Sequence, residues 1–320
     1  MALLLVLVLA GLGAVLGQAH WAIRQLDPPL PADAEVEALL GTPAGPVAVA
    51  WQLTASQRLP RGQVLDPALD PDGDADYVMS HPSFALAWPD GRLLLADLGM
   101  ERQAALDFGS PFALVGAAPM EPGLDAATAL GPATARAGAV LFSHLHVDHV
   151  QGVVALCRAR QGAALPLLQT PDQATRGNYT TDPARALTEE AGCLVPTRLA
   201  PEPLARVDGF PGVGVVAAAG HTPGSQVLLA VVRSGGRERR LAFTGDVVNH
   251  VAGARLDVGK PPAYRALVVP EWDERLGRMR RWLRRLEQEL GFELVVAHDR
   301  AQLEALDIPP FSALPTPAGG

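Results

Sequence analysis

The segment Phe142-Ser143-His144-Leu145-His146-Val147-Asp148-His149 places four metal-type side chains within six positions, directly after the apolar run Ala139–Phe142. With 8 His and 34 acidic residues in 320, a random chain would show His-x-His-x-acid-His roughly 5 times in 10,000. Imidazole and carboxylate are the donors that suit zinc and its divalent neighbours. Alternate residues project to one side where a strand ends, so His144 and His146 can share one cation. Asp148 and His149, opening the next helix, can turn toward a second. The chemistry expected of such a pair is activation of water near neutral pH.

Three more candidates follow, each after an apolar run: His221 after Val213–Ala219, Asp246 after Leu241–Thr244, and His298 after Leu294–Ala297. In α/β sheets, ligands bind in the crevice beyond the carboxyl ends of the strands, so residues far apart in sequence can converge there. Gly220, Gly224 and Gly245 let the backbone turn sharply beside them. His20, His81 and His250 are left over and read as surface or core histidines.

The elements that must position these residues are short strands and amphipathic helices. Strand-like runs are Val47–Leu53, Phe84–Trp88, Leu93–Asp97, Ala139–Ser143, Val213–Ala219, Val227–Val232, Leu241–Thr244 and Leu294–Ala297. Helices are expected over Val150–Arg160, Asp182–Ala191 and Trp272–Leu290. In the last, Trp272, Leu276, Met279, Leu283, Leu286 and Leu290 recur at intervals of three and four, while Arg275, Arg278, Arg281, Arg284 and Arg285 read as a solvated face. The alternation predicts an α/β architecture.

Residues 1–19 are almost wholly apolar and read as an export signal cut before His20, with an uncleaved membrane anchor as the alternative. Residues 20–46 form a Pro-rich connector, 47–300 the catalytic domain and 301–320 a C-terminal tail. The expected location is periplasmic or secreted, or membrane-attached through residues 1–19. Cys157 and Cys193, the only two cysteines, read as unpaired buried side chains. Lys260 is the only lysine, a compositional bias to which no function is attached. A net charge of −8 without a basic stripe argues against nucleic acid and for a small-molecule substrate.

The order of these motifs resembles the metallo-β-lactamase superfamily of hydrolases, from about Val47 to His298. The resemblance implies a four-layer αβ/βα sandwich and two zinc ions, with iron or manganese as alternatives. It further implies that His144, His146 and His221 hold the first metal, that Asp148, His149 and His298 hold the second, and that Asp246 bridges them. Asp97, in Leu95-Ala96-Asp97-Leu98-Gly99, would orient a ligand. Ser143–His149, Gly220-His221-Thr222-Pro223-Gly224-Ser225 and Ala297-His298-Asp299 look most like the quorum-quenching N-acyl homoserine lactonase branch. Those lactonases typically carry a tyrosine three residues beyond the bridging aspartate. This chain has Asn249 there, which can donate a hydrogen bond instead. β-Lactamases proper usually lack a bridging Asp, and flavodiiron members replace the second His with a carboxylate.

The implied reaction is cleavage of an ester, lactone or thioester carbonyl by a hydroxide held between the metals, with Asp148 relaying a proton to the leaving group. Two other classes fit the same fold: a mononuclear-iron persulfide dioxygenase and a non-catalytic binding module. Specificity is expected on the loops Asp66–His81, Gly109–Pro132 and Thr170–Glu190. Trp51, Trp88, Phe108, Phe112 and Tyr179 read as core packing.

Overall fold

Short runs of Val, Leu and Ala, bounded by Gly, Pro and polar residues, pair into two sheets. The first contains β1 (Ala48–Arg58), β2 (Val78–Ala87), β3 (Leu93–Leu98), β4 (Glu121–Pro122), β5 (Ala137–Leu141), β6 (Leu165–Gln169) and β7 (Leu194–Arg198), in the order β4-β1-β2-β3-β5-β6-β7. The second contains β8 (Ala205–Arg206), β9 (Val213–Ala217), β10 (Gln226–Ser234), β11 (Arg237–Phe243) and β12 (Phe292–Val295), in the order β12-β11-β10-β9-β8. The computed structural model describes residues 1–73 and 75–316 and, for residues 2–8, the backbone alone. The start of the expected leader and the last four residues of the expected C-terminal tail therefore lie wholly or partly outside the described residues.

The two sheets pack face to face, with helices outside both, which makes four layers. Alternation along each strand sorts the side chains. Leu94 and Ala96 of β3 join Phe84, Val215, Leu228 and Phe243 in the cluster between the sheets, while Leu93 and Leu95 join Val153 and Leu156 of the helix Val153–Ala159 on the outside. On the far side, Leu276, Met279, Leu283 and Leu286 of the helix Asp273–Leu290 cover Val227, Leu229 and Ala242 of the second sheet. Fully burying one such Leu is worth about 1.5–3 kcal/mol. Gly291, at φ 67°, ends that helix in the left-handed conformation that its terminal turn requires.

The arginines of this helix are not simply a solvated face. Arg275 is among the largest fully buried side chains, 3.4 Å from Asp27, and Arg278 bonds Asp27 at 2.7 Å. Arg281 pairs with Asp257, and Arg285 with Asp33. The chain before β1 thus docks on the helix through ion pairs. The helix Ala2–Ile23 runs continuously through the expected cut before His20; Ala19 and Ile23 are buried, and the His20 ring lies 3.0 Å from the Ala266 carbonyl. Among the described residues no helix is long and apolar enough to cross a membrane.

Cys157 and Cys193, expected to be unpaired, form a disulfide with Cα atoms 5.5 Å apart. Neither β6 nor β7 is among the strands expected from the sequence, because Pro166 and Pro196 interrupt their apolar runs. Their parallel pairing, begun by Leu165 N donating to Cys193 O, carries Cys193 under the helix that holds Cys157. The bridge spans 36 residues, so its reduction is expected to lower stability by about 3–4 kcal/mol. Urea unfolding with and without reductant measures this, and equal midpoints would show the bridge to be dispensable.

Candidate metal centre

The strand ends that the sequence marks do converge. Ser143 to His149 leave β5; His221 follows β9, Asp246 follows β11 and His298 follows β12. The two sheets are tied together at this point. Gln226 N, at the start of β10, donates to Ser143 O at 2.6 Å, and Gln226 and Gln173 side chains both donate to Phe142 O. Gly245 has φ 48°, and a Cβ there would lie 2.6 Å from that of Ser143. Only glycine lets Asp246 approach so closely.

The donor atoms form two sets that share Asp246. His144, His146 and His221 offer nitrogens within 4.8 Å of one another, and so do the donors of His144, His149 and Asp246. His146 Nδ1 is 3.3 Å from His221 Nε2, which is 3.5 Å from Asp246 Oδ2. On the other side, His149 Nε2 and His298 Nε2 are 3.3 Å apart, each 3.6 Å from Asp148 Oδ2, and 3.3 and 3.0 Å from Asp246 Oδ1. Ligands about 2.0–2.1 Å from a tetrahedral cation sit roughly 3.3–3.4 Å from each other, so these spacings match the edges of a coordination shell.

Each ring is held from behind. Asp97 Oδ2 accepts from His149 Nδ1 at 2.8 Å, and the two oxygens of Asp97 also take the Ser143 N–H and hydroxyl. Asp97 sits at φ 50°, a strained conformation for a residue other than glycine, of the kind that clusters at functional sites. His298 Nδ1 donates to Ser80 O at 2.7 Å, and His221 Nδ1 to Glu271 at 2.6 Å. His144 Nδ1 faces the Ser143 hydroxyl and His146 Nε2 faces that of Thr180. The remaining nitrogen of every ring points inward. His144 Nε2 and Asp246 Oδ1 are buried and make no hydrogen bond. Such atoms cost about 1–3 kcal/mol when left unsatisfied, and a cation satisfies both. The donor set fits divalent metal.

Several residues here escape sequence reading. His81, assigned above to surface or core, is in the cluster, its Nδ1 3.1 Å from Asp148 Oδ2. The lone lysine also has a place: Lys260 Nζ is 2.7 Å from Glu271 Oε1, 2.9 Å from Asp246 O and 3.0 Å from His221 Nδ1, all buried. Only its singularity among 26 basic residues could have flagged it. His250 instead caps the helix Val251–Leu256. Asn249 is buried; its backbone carbonyl accepts from Tyr77, and its amide oxygen has no partner. Phe108 packs edge-on against His81, while Tyr179 is exposed and donates to Val268 O.

Residues 76–281 match the metallo-beta-lactamase superfamily. The chain belongs to that superfamily. No curated protein matches it at the sequence level. Its fold is similar to that of an N-acyl homoserine lactone hydrolase solved with N-hexanoyl-L-homoserine at its catalytic metal centre, at 16% identity and a TM-score of 0.59, covering 82% of this chain and 96% of the other. It is also similar to an AiiA variant from B. thuringiensis solved with N-decanoyl-L-homoserine, at 17% identity, TM-score 0.58 and the same two coverages, 82% and 96%. A probable metal-dependent hydrolase from Staphylococcus aureus matches at 12% identity, TM-score 0.51, over 80% of this chain and 90% of that one. This superfamily member is a metal-dependent hydrolase whose metal-type donors are the His and Asp side chains described above.

The metal-free cluster is electrostatically divided. Burial pushes the His149 imidazole down, but the Asp97 and Asp148 carboxylates override it and hold the ring well above the usual histidine range. His298 is raised despite burial, chiefly by Asp246. Burial and the His149 ring hold His144 well below that range, and burial with Lys260 holds His221 below it. These directions favour the protonated form of His149 and His298 in the metal-free cluster. Metal uptake is expected to release protons, more of them in mildly acidic than in alkaline buffer, and affinity falls as pH falls. Calorimetric titration in buffers of differing ionisation enthalpy counts them; uptake without proton release would contradict this charge distribution. In the metal-free chain the same raised imidazoles stabilise the fold fully below the ordinary histidine pKa, and that contribution is lost as pH rises through the raised values.

Proposed function

We propose that the chain holds two zinc ions in this cluster and hydrolyses an ester, lactone or thioester of a small molecule. The observation that supports this reading best is the sharing of Asp246 by two sets of inward-facing donors: His144, His146 and His221 on one side, Asp148, His149 and His298 on the other. Metals bound there supply Lewis acidity and a water whose pKa is lowered to about 7.

The chain's own residues do the rest. Asp97 and Glu271 fix which nitrogen of His149 and His221 faces inward. Burial opposes ionisation of Asp148, yet His149 and His81 hold its carboxyl below the usual range, so it is present as an anion that can take up a proton from the reacting water and pass it on. His146 is the least buried of the seven donors, and beside it Thr180 marks the side from which substrate arrives. Asn249, three residues past Asp246, is the proposed donor to the substrate through its amide N–H. The lactonase likeness of the fold makes lactones the first substrates to try. A location outside the cytoplasm is part of the proposal: a disulfide persists in an oxidising compartment, and residues 1–19 have the composition of an export segment or anchor.

The test is elemental analysis of the purified protein alongside hydrolysis of an ester, lactone and thioester panel with and without chelator. About two zinc per chain and turnover that chelation abolishes are expected. One iron per chain without hydrolysis would replace this reading with the dioxygenase.

A further inference from the structure

His81 is not required by either set of donors, yet its position relative to them is that of a ligand. It lies on β2, near the end where that strand, still paired with β1, reaches the residues after β12: Ser80 Oγ donates to Ala297 O, and the His298 ring donates to Ser80 O. The His81 ring is 1% exposed. Its Nδ1 is 3.1 Å from Asp148 Oδ2, and its donor, that of Asp148 and that of His298 lie within 4.8 Å of one another. Ring orientation adds an independent measure. Within the two sets, His144–His221, His146–His221 and His149–His298 have centroids 4.8, 4.8 and 5.1 Å apart, at interplanar angles of 78°, 79° and 78°. His81 and His298 are related in the same way, at 5.1 Å and 70°. Among the described residues nothing else uses this imidazole: Nε2 is buried without a partner, and the ring's other neighbour is Phe108.

We propose that His81 is an additional protein ligand to the second metal, which then has Asp148, His149, His298, Asp246 and His81 around it. The inference rests on the two-metal reading and deepens it, because it concerns which cations the second position takes. Five protein donors exceed the tetrahedral set that structural zinc prefers. They suit a cation that accepts higher coordination with nitrogen and oxygen, such as cobalt, manganese or iron. The second position is therefore distinguished from the first, where Asp246 and three imidazoles make four.

Cobalt(II) tests this on the full chain, because its visible absorption weakens as coordination rises above four. The metal-free protein is titrated with Co2+ and followed by calorimetry and absorption, for the wild type, His81→Phe and His81→Gln. The wild type is expected to take two cobalt ions, one with a strong four-coordinate band and one with a weak band of higher coordination. In both variants the first uptake is unchanged, the second weakens by about 10–100-fold, and its band strengthens toward the four-coordinate form. A second variant and the wild-type spectrum guard against a folding defect in one substitution. Two four-coordinate bands in the wild type would overturn the proposal without any variant. So would variants that lose affinity with an unchanged second band, since His81 would then act only by positioning Asp148. A wild type that binds fewer than two metals would instead sink the two-metal reading and this proposal with it.

Discussion

Asp246→Ala is expected to lower kcat/KM about a thousandfold or more on whichever ester or lactone the wild type turns over, and to leave less than a full complement of metal. Among the described residues it is the carboxylate that lies against histidines of both donor sets. Its Oδ2 is 3.5 Å from His221 Nε2, and its Oδ1 is 3.0 and 3.3 Å from His298 and His149. Burial opposes its charge, but the histidines beside it, His298 and His144 foremost, hold the carboxyl well below the usual range, which favours its anionic form. Losing it would remove a donor from each set and take from the His298 ring its nearest carboxylate, 3.0 Å away, whereas His149 keeps Asp97 at 2.8 Å. Metal analysis and steady-state kinetics on the same preparation check the result. A variant with full metal and near-normal turnover would mean that the two sets do not act as one site.

Lys260→Met is expected to destabilise the fold by about 3–5 kcal/mol, because it strands the Glu271 carboxylate in the interior without its cation. Lys260 and Glu271 are 4% and 3% exposed, and the Lys260 ammonium donates in two different directions, to Glu271 Oε1 and to Asp246 O. A compact ammonium can do this; a planar guanidinium points its donors in one plane, so Lys260→Arg is not expected to rescue. The chain otherwise uses arginine throughout. The double variant Lys260→Met/Glu271→Leu is expected to recover much of the stability while binding the first metal more weakly, since His221 loses its anchor. Urea midpoints and metal titration separate the two effects. Unchanged stability in Lys260→Met would show that Glu271 finds another partner.

The sequence by itself determined which donors come together to the extent that their convergence is local. His144, His146, Asp148 and His149 are close in chain, and an alternating strand end followed by a helix allows them few arrangements, so their types and spacing imply convergence before any fold is known. His221, Asp246 and His298 were legible for a related reason: each follows an apolar run long enough to be a strand, and strand ends gather on one edge of a sheet. Tertiary structure alone decided the rest. His81 lies inside β2, with no motif around it, and reaches Asp148 only because β2 crosses toward the end of β12. Lys260 and Glu271 stand on loops eleven residues apart and meet behind His221 through packing that no periodicity encodes. Cys157 meets Cys193 because β6 and β7 pair in parallel, although a proline interrupts each of them. Arg275 is buried on what reads as a polar helix face because Asp27 comes from the far end of the chain to meet it. A pattern in sequence reports which side of an element is apolar. Which distant residue arrives at its polar side depends on how the elements are stacked, and that is a property of the fold.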